Sequence, residues 1–450
     1  MKIAYLTAGA AGMICGSCLH DNTLARALIE LGHDVQLVPL YTPIRTDEVD
    51  VTSGPIFYGG INLYLQQQVP LFRRLPKWLD RWLDQPWLIN WASGRSVKID
   101  PQQVADLTLS ILRGRAGFQR KEVERLAEWL TGDLRPDVIN FSNILTTGCV
   151  PEIKRRLDVP VVVTLQGDDI FLRALPQPHQ AQALAEIRKL VDRIDGFIAN
   201  SRFYADAMSD YLGIPRARIA IVPLGLDTRD MEQDSRINPK SEIPTIGYLA
   251  RLAPEKGLHV LAEAFILLRQ MPGMEQARLR IAGWLGGNNG PYAEQVFARL
   301  TAAGLGGAFE HVGEVDRPGK LAFLRSIDVL SVPTTYREPK GLFVLEALAA
   351  GVPVVQPDHG AFPELLAELG GGLLHRPEDP QHLAERLREL LLDKERLAEF
   401  GRTGREAVHA NRNQRLMAER TAAVLAGVVK HGQVPPASAA AQAVSAAYKG

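Results

Sequence analysis

Tyr248-Leu249-Ala250-Arg251-Leu252-Ala253-Pro254-Glu255-Lys256-Gly257 joins a short apolar run, residues 245–250, to an amphipathic run, residues 258–270. The first reads as a strand and the second as a helix, with a Pro and a Gly punctuating the turn between them. This strand–turn–helix unit decides the fold because it is a restart. Residues 228–241 before it are polar and without clear periodicity, and Pro239 and Pro244 close them off. A linker over 229–244 is expected there.

Strand-like and helix-like runs alternate on both sides of this point. Upstream, residues 3–7 form a strand followed by Gly9, Gly12 and Gly16, and residues 22–31 form an amphipathic helix ended by Gly32-His33. Further strands are expected at 34–40, 137–141, 160–164, 196–200 and 219–223. Downstream, strands at 279–282, 309–312, 329–332 and 352–356 alternate with helices, and helical patterns at 379–393 and 394–429 follow. Such alternation predicts an α/β chain of two doubly wound, mainly parallel sheets. The domains are expected at 1–228 and 245–405, with a closing helix at 406–430 and an Ala-, Ser- and Pro-rich disordered tail at 431–450. A length of 450 residues agrees with two cores. Two such domains make a cleft between the carboxyl ends of their strands, where open α/β sheets bind ligands.

Lys plus Arg is 51 and Asp plus Glu is 51. That balance lacks the basic surplus a general nucleic-acid binder needs. Three cysteines, Cys15, Cys18 and Cys149, are too few for a disulfide scaffold and suit a reducing cytoplasm. The N-terminus is a strand rather than a signal peptide, and no uncharged apolar run is long enough to span a bilayer.

The motifs should therefore lie just after strands and at helix starts. Arg251 follows a strand and Lys256 precedes a helix, so two cations stand beside helix N–H groups. That suits a diphosphate, and equally a solvated basic loop. The strand end Ile281-Ala282-Gly283 is weak alone. Glu338-Pro339-Lys340-Gly341-Leu342-Phe343-Val344-Leu345-Glu346 is stronger. Pro339 holds Glu338 extended, outside the helix, and Gly341 allows a ligand close to the helix start. The first N–H groups and the dipole then favour phosphate or sugar oxygens. Glu338 can accept from sugar hydroxyls, and Glu346 can chelate a vicinal diol such as a ribose. An ordinary amphipathic helix satisfies the same spacing.

Glu338 and Glu346, separated by seven residues, resemble the signature of retaining GT-B glycosyltransferases, closest to family 4. Further pieces match in order: Asn200-Ser201, residues 222–227, Arg251 with Glu255-Lys256-Gly257, Ala282-Gly283, Glu346-Ala347 leading to residues 351–355, and the loop from Gly360 to Glu364. The resemblance covers roughly residues 1–429, interrupted at 47–120. It implies two Rossmann-like domains facing a central cleft, with a C-terminal helix returning to the N-terminal domain. It also implies transfer of a sugar from a nucleotide sugar, UDP- or GDP-linked, to a hydroxyl acceptor with retention. By the same resemblance Arg251, Lys256 and Glu338 are catalytic. Arg251 and Lys256 hold the diphosphate, and Glu338 contacts the transferred sugar. Gly283 and the N–H groups of Gly341, Leu342 and Phe343 face the donor, and Glu346 binds the ribose. No cofactor and no metal is implied, and positioned charges can act on the departing phosphate. Lys340 departs from the family, where an uncharged residue is more usual, and reads as a solvated lysine.

Gly16 and Ser17 occupy the place of the family's glycine-rich loop and are donor-binding candidates. The glycine spacing is not a dinucleotide fingerprint. His20 either orients an acceptor or is a satisfied helix histidine. Cys15 and Cys18 read as small buried residues, against the alternative of a redox or metal site with His20 and Cys149. Gln166 stands where many relatives carry a histidine near the acceptor, and it cannot be a general base. Asp168 or Asp169 binds acceptor hydroxyls or caps the next helix. Trp78, Trp82, Trp87 and Trp91, with Arg73, Arg74, Lys77 and Arg81, mark a helical insertion near 65–120. Packing over the N-terminal domain is preferred to peripheral membrane contact, because Asp80 and Asp84 oppose anionic lipid. The expected partners are a nucleotide sugar and a saccharide, lipid or small-molecule acceptor. A sugar-nucleotide isomerase, a glycosyl phosphorylase or a non-catalytic sugar-nucleotide-binding regulator remain as alternatives.

Overall fold

The computed structural model describes residues 1–9, 16–54, 56–58, 101–232 and 243–435. The chain forms two compact units. The first is Met1–Pro223 with Arg415–Gly450, and the second is Leu224–Gln414.

The first unit is built on β1 (Lys2–Thr7), β2 (Asp34–Pro39), β3 (Val138–Phe141), β4 (Val161–Leu165), β5 (Gly196–Ala199) and β6 (Ile219–Ile221), all parallel, in the order β2-β1-β3-β4-β5-β6. β3 and β4 are buried along their whole length. Unbroken runs such as Val161-Val162-Val163 are what a parallel sheet covered on both faces demands. The strand order reverses between β1 and β3. Helix α1 (Gly16–Glu30) leaves the β1 end of this switch point, and α2 (Asp168–Ala174) follows β4.

In the second unit β7 (Thr245–Leu249), β8 (Arg278–Ala282), β9 (Phe309–Gly313), β10 (Val329–Leu330), β11 (Val354–Pro357) and β12 (Gly372–His375) lie parallel in the order β12-β11-β10-β7-β8-β9. Counted from β7, this is the doubly wound 3-2-1-4-5-6 order, whose switch point lies between β7 and β10. The loops that open there run from β7 to α3 (Leu258–Leu268) and from β10 to α5 (Leu342–Ala349). Helix α4 (Arg317–Arg325) enters β10, and α6 (Phe362–Leu369) follows β11.

Four expectations shift. Helix α1 starts at Gly16 rather than at residue 22. It buries His20, Asp21, Asn22 and Thr23, so its first turns point polar residues inward and show no apolar period. Strand β12 follows a run of glycines and was not expected. The helical pattern over 394–429 is two helices, Lys394–Asn411 and Gln414–His431. Between them the Gln414 N–H and the Arg412 carbonyl bond to Leu226 instead of continuing the helix. The boundary between units falls at Pro223, and the expected linker begins with a short helix, Arg229–Glu232, in the second unit. Residues 233–242, the four clustered tryptophans and residues 436–450 lie outside the described residues, whereas Pro101–Leu112 is a helix that packs Ala105, Leu109 and Leu112 into the first core. Among the described residues no helix is long and apolar enough to cross a membrane.

Candidate functional site

After β7 the chain turns through a single 3-10 turn, Pro254–Lys256, and enters α3 at Gly257. Gly257 has φ of +73°, and a side chain there would place its Cβ 1.8 Å from the Pro333 carbonyl oxygen. Only glycine lets this turn lie against the loop that follows β10. The approach puts Lys256 beside Glu338. The Lys256 Nζ donates to Glu338 Oε2 at 2.8 Å and to the Tyr336 hydroxyl at 2.5 Å, and that hydroxyl donates in turn to Glu338 Oε2. The ammonium also lies 5.5 Å from the centre of the Phe343 ring, within cation–π range.

Glu338 is buried in the loop that leads from β10 to α5. Its Oε1 accepts from the N–H groups of Lys340 and Gly341, both at 3.3 Å. The loop after β11 closes over its backbone. Ala361 N donates to the Glu338 carbonyl at 2.8 Å, and a Cβ on Gly360 would sit 2.6 Å from Glu338 N. Burial pushes the Glu338 carboxyl up, but the Lys256 ammonium, the Tyr336 hydroxyl and the more distant Lys340 outweigh it and hold it at about 2. The group is a carboxylate at neutral pH.

Gly341 caps α5 with φ of +67°. The N–H groups of Leu342 and Phe343, in the first turn, have no intrahelical acceptor. Glu346 lies further along α5, buried, with its Oε1 2.7 Å from the Nζ of Lys320 on α4. Arg251 is exposed and ion-paired with Glu255. Gly283 is committed to the sheet. Its N–H donates to the Gly313 carbonyl at 2.8 Å, and a Cβ would meet the Ala250 carbonyl oxygen at 1.9 Å. The structure thus brings Lys256, Glu338 and Tyr336 into direct contact, and sets Glu346 with Lys320 as a second pair on the same unit.

The first unit has its own polar cluster, at the carboxyl ends of β1, β3 and β4. Asp21 is fully buried on α1. It accepts from Tyr5 Oη at 2.6 Å, Thr7 Oγ1 at 2.6 Å and Gln166 Nε2 at 2.7 Å, with His20 Nδ1 at 3.2 Å. Burial raises its pKa, but His20, Thr7 and Tyr5 together bring it below the ordinary value. Gln166 Nε2 also donates to the Ser142 carbonyl at 3.2 Å, while its Oε1 is buried without a partner. Asp168 accepts the N–H groups of Ile144 and Gln166, each at 2.9 Å, and so staples two loops; burial, against those bonds, raises its carboxyl to about 6. Gly16 and Ser17 form the first turn of α1, with Gly16 exposed. Cys18 and Cys149 are buried free thiols, and burial pushes the Cys149 thiol up to about 12. Cys15 lies outside the described residues. Among the described residues no group of three or more His, Cys, Asp or Glu side chains is placed to hold a metal ion.

Sequence reasoning missed Tyr336, Lys320 and Asp21. Tyr336 stands two residues before Glu338 in a bend of the loop after β10, where no periodic pattern marks it. For Lys320, 26 residues before its partner, no local signal exists. Asp21 was hidden by its place in the first turns of α1, which show no apolar period.

Residues 230–407 match the model of the family described as Glycosyl transferases group 1, and residues 22–225 match the Glycosyl transferase 4-like domain. Over 334 residues the chain is 26% identical to a D-inositol 3-phosphate glycosyltransferase of Segniliparus rotundus, covering 69% of this chain and 68% of that protein. Over 280 residues it is 28% identical to a GDP-mannose-dependent alpha-(1-6)-phosphatidylinositol monomannoside mannosyltransferase of Mycobacterium tuberculosis, covering 59% and 69%. Among solved structures it is similar to sucrose-phosphate synthase from Thermosynechococcus elongatus, with a TM-score of 0.69, 18% identity and coverage of 96% and 100%. It is likewise similar to Anabaena HepE in complex with UDP, with a TM-score of 0.66, 18% identity and coverage of 95% and 100%. At that identity the two structures speak for the fold.

Proposed function

Since the chain belongs, through both of its halves, to the family 4-like glycosyltransferases of GT-B fold, we propose that it moves a sugar from a UDP- or GDP-linked donor to a hydroxyl acceptor with retention and without a bound metal. The observation that carries this reading is the Lys256–Tyr336–Glu338 constellation at the switch point of the second unit. A doubly wound sheet binds nucleotides at this point. Support for the two bases comes from the relatives, one described as GDP-mannose-dependent and one structural neighbour described in complex with UDP.

In this reading the donor diphosphate lies against Lys256, Arg251 and the N–H groups of Leu342 and Phe343. An ammonium has three donors, so Lys256 can hold Glu338 and still reach a phosphate oxygen. Glu338, ionised at neutral pH, accepts from hydroxyls of the transferred sugar and cannot serve as its general acid. Glu346 takes the ribose hydroxyls. The bond from the anomeric carbon to the β-phosphate oxygen breaks, and a bond from that carbon to the acceptor oxygen forms. The acceptor proton passes to the departing phosphate oxygen, and the nucleoside diphosphate leaves. The positive groups act on charge that develops on the diphosphate in the transition state.

A thermal-shift panel of nucleotide sugars identifies the donor, because a ligand that binds only the folded state raises the melting temperature. With that donor, Glu338→Gln and Lys256→Ala each lower transfer by about two orders of magnitude or more, the scale of losing a preorganised charge. Glu346→Ala mainly weakens nucleotide binding. Wild-type turnover in both of the first two variants would sink the assignment. Excess EDTA leaves the rate unchanged if no metal takes part, and the anomeric signal of the product in NMR reports the stereochemistry.

A further inference from the structure

The Lys320–Glu346 pair is not explained by holding the fold together. Lys320 is 8% exposed and Glu346 5% exposed, on separate helices of the second unit, with Nζ and Oε1 2.7 Å apart. A buried ion pair is at best about break-even against apolar residues of the same size, because both charges lose their hydration. Helix α4 is also fixed without it. Asp316 caps its first turn by accepting from Gly319 N at 2.9 Å, and Arg317 makes a two-pronged contact with Asp230 at 2.8 Å.

We propose that Lys320 is a positioning residue for nucleotide recognition, fixing the Glu346 carboxylate in the orientation that receives the two hydroxyls of a ribose. The proposal rests on the reading of Glu346 as the ribose contact. A glutamate has three side-chain torsions, and a free carboxylate would have to be ordered when the nucleotide arrives. Lys320 orders it beforehand, which is where preorganisation adds affinity. It occupies Oε1 from one side. A carboxylate offers about four lone-pair sites, so acceptors remain for a vicinal diol. Lys320 thus acts through Glu346 and does not itself touch the nucleotide.

The test is isothermal titration of UDP, GDP and their 2′-deoxy forms into the full chain, comparing wild type, Lys320→Met, Lys320→Gln, Glu346→Gln and the Lys320→Met/Glu346→Gln double variant, each with its melting temperature. Wild type is expected to favour the ribonucleotide over the 2′-deoxy form about tenfold, the scale of one charge-assisted hydrogen bond. That preference falls to about threefold or less in either Lys320 variant and in Glu346→Gln. The double variant binds no more weakly than Glu346→Gln alone, and it still carries the comparison if the Lys320 single variants do not fold. A folded Lys320 variant that keeps the tenfold preference overturns the proposal. So does a double variant that binds more weakly than Glu346→Gln, because Lys320 would then contact the nucleotide directly. If Glu346→Gln keeps the preference, or neither nucleotide binds the wild type, the ribose reading itself fails and the proposal goes with it.

Discussion

At the scale of single residues, Glu338 decides how the candidate site behaves. Its carboxylate is buried, which alone would favour the neutral acid, yet Lys256 and Tyr336 reverse the balance. A pair of this kind is asymmetric to mutation, because removing one partner leaves the other charge uncompensated, at about 3–5 kcal/mol. Loss of transfer in Lys256→Ala or in Glu338→Gln therefore has to be read beside the melting temperature, although Glu338→Gln keeps the side chain's shape. The linkage to pH has a definite sign. The folded-state pKa of about 2 lies below the ordinary carboxyl value of 4.5, so the unfolded chain binds more protons in between. The stabilisation from this carboxylate is complete above about pH 4.5 and is lost as pH falls toward 2. Urea denaturation at pH 7, 4.5 and 3 should show wild type losing stability over that window faster than Glu338→Gln. Parallel loss in both proteins would mean the carboxylate is not held ionised by its partners.

The elements around the site work through backbone contact as much as through side chains. Gly257 joins the β7 turn to α3 with φ of +73° and leaves no room for a Cβ against Pro333. Gly304 has φ of +77° and nothing within 4 Å. The two glycines separate conformational strain from steric contact. Gly304→Ala should cost only the left-handed penalty of about 1–2 kcal/mol. Gly257→Ala should cost more, and should also weaken nucleotide binding by moving Lys256 away from Glu338. Equal melting-temperature losses with unchanged affinity would show that the contact with Pro333 is not what places Lys256. This level also marks what the sequence could and could not reveal. β3, β4 and β7 were legible because strands buried on both faces read as apolar runs. Glu338, Lys256 and Gly341 were legible because each lies at a strand end or helix start. The start of α1 was not, since His20 to Thr23 are buried polar groups whose partners include Tyr5, Thr7, Gln166, Glu48 and the Val49 carbonyl, all distant in sequence. Strand β12 has only four residues behind a glycine run, too few to show a period. The Lys320 partnership depends on how two helices pack, a property that no local pattern encodes.

For the whole molecule, the chain's path makes the last described helix a component of its first unit. Gln414–His431 buries Met417, Ala418, Val424, Leu425 and Val428, and Val428 and Val434 reach the start of β5 at Gly196. Burying one side chain of the size of Val, Leu or Met is worth about 1.5–3 kcal/mol. Four such residues therefore contribute on the order of the 5–15 kcal/mol by which a whole domain is stable. The second unit, Leu224–Gln414, contains none of them. A chain ending at Gln414 should lose amide-exchange protection across β1 to β6 while keeping it across β7 to β12. Val428→Asp in the full chain should move the first unit the same way by a smaller amount, since it buries a charge with no partner. Protection lost together in both sheets of the shortened chain would mean the two units fold as one cooperative block. Protection kept in both would mean the first sheet closes its core without the returning helix. The placement of Val428 and Val434 over Gly196 argues against that second outcome, because removing them exposes the start of β5 to water.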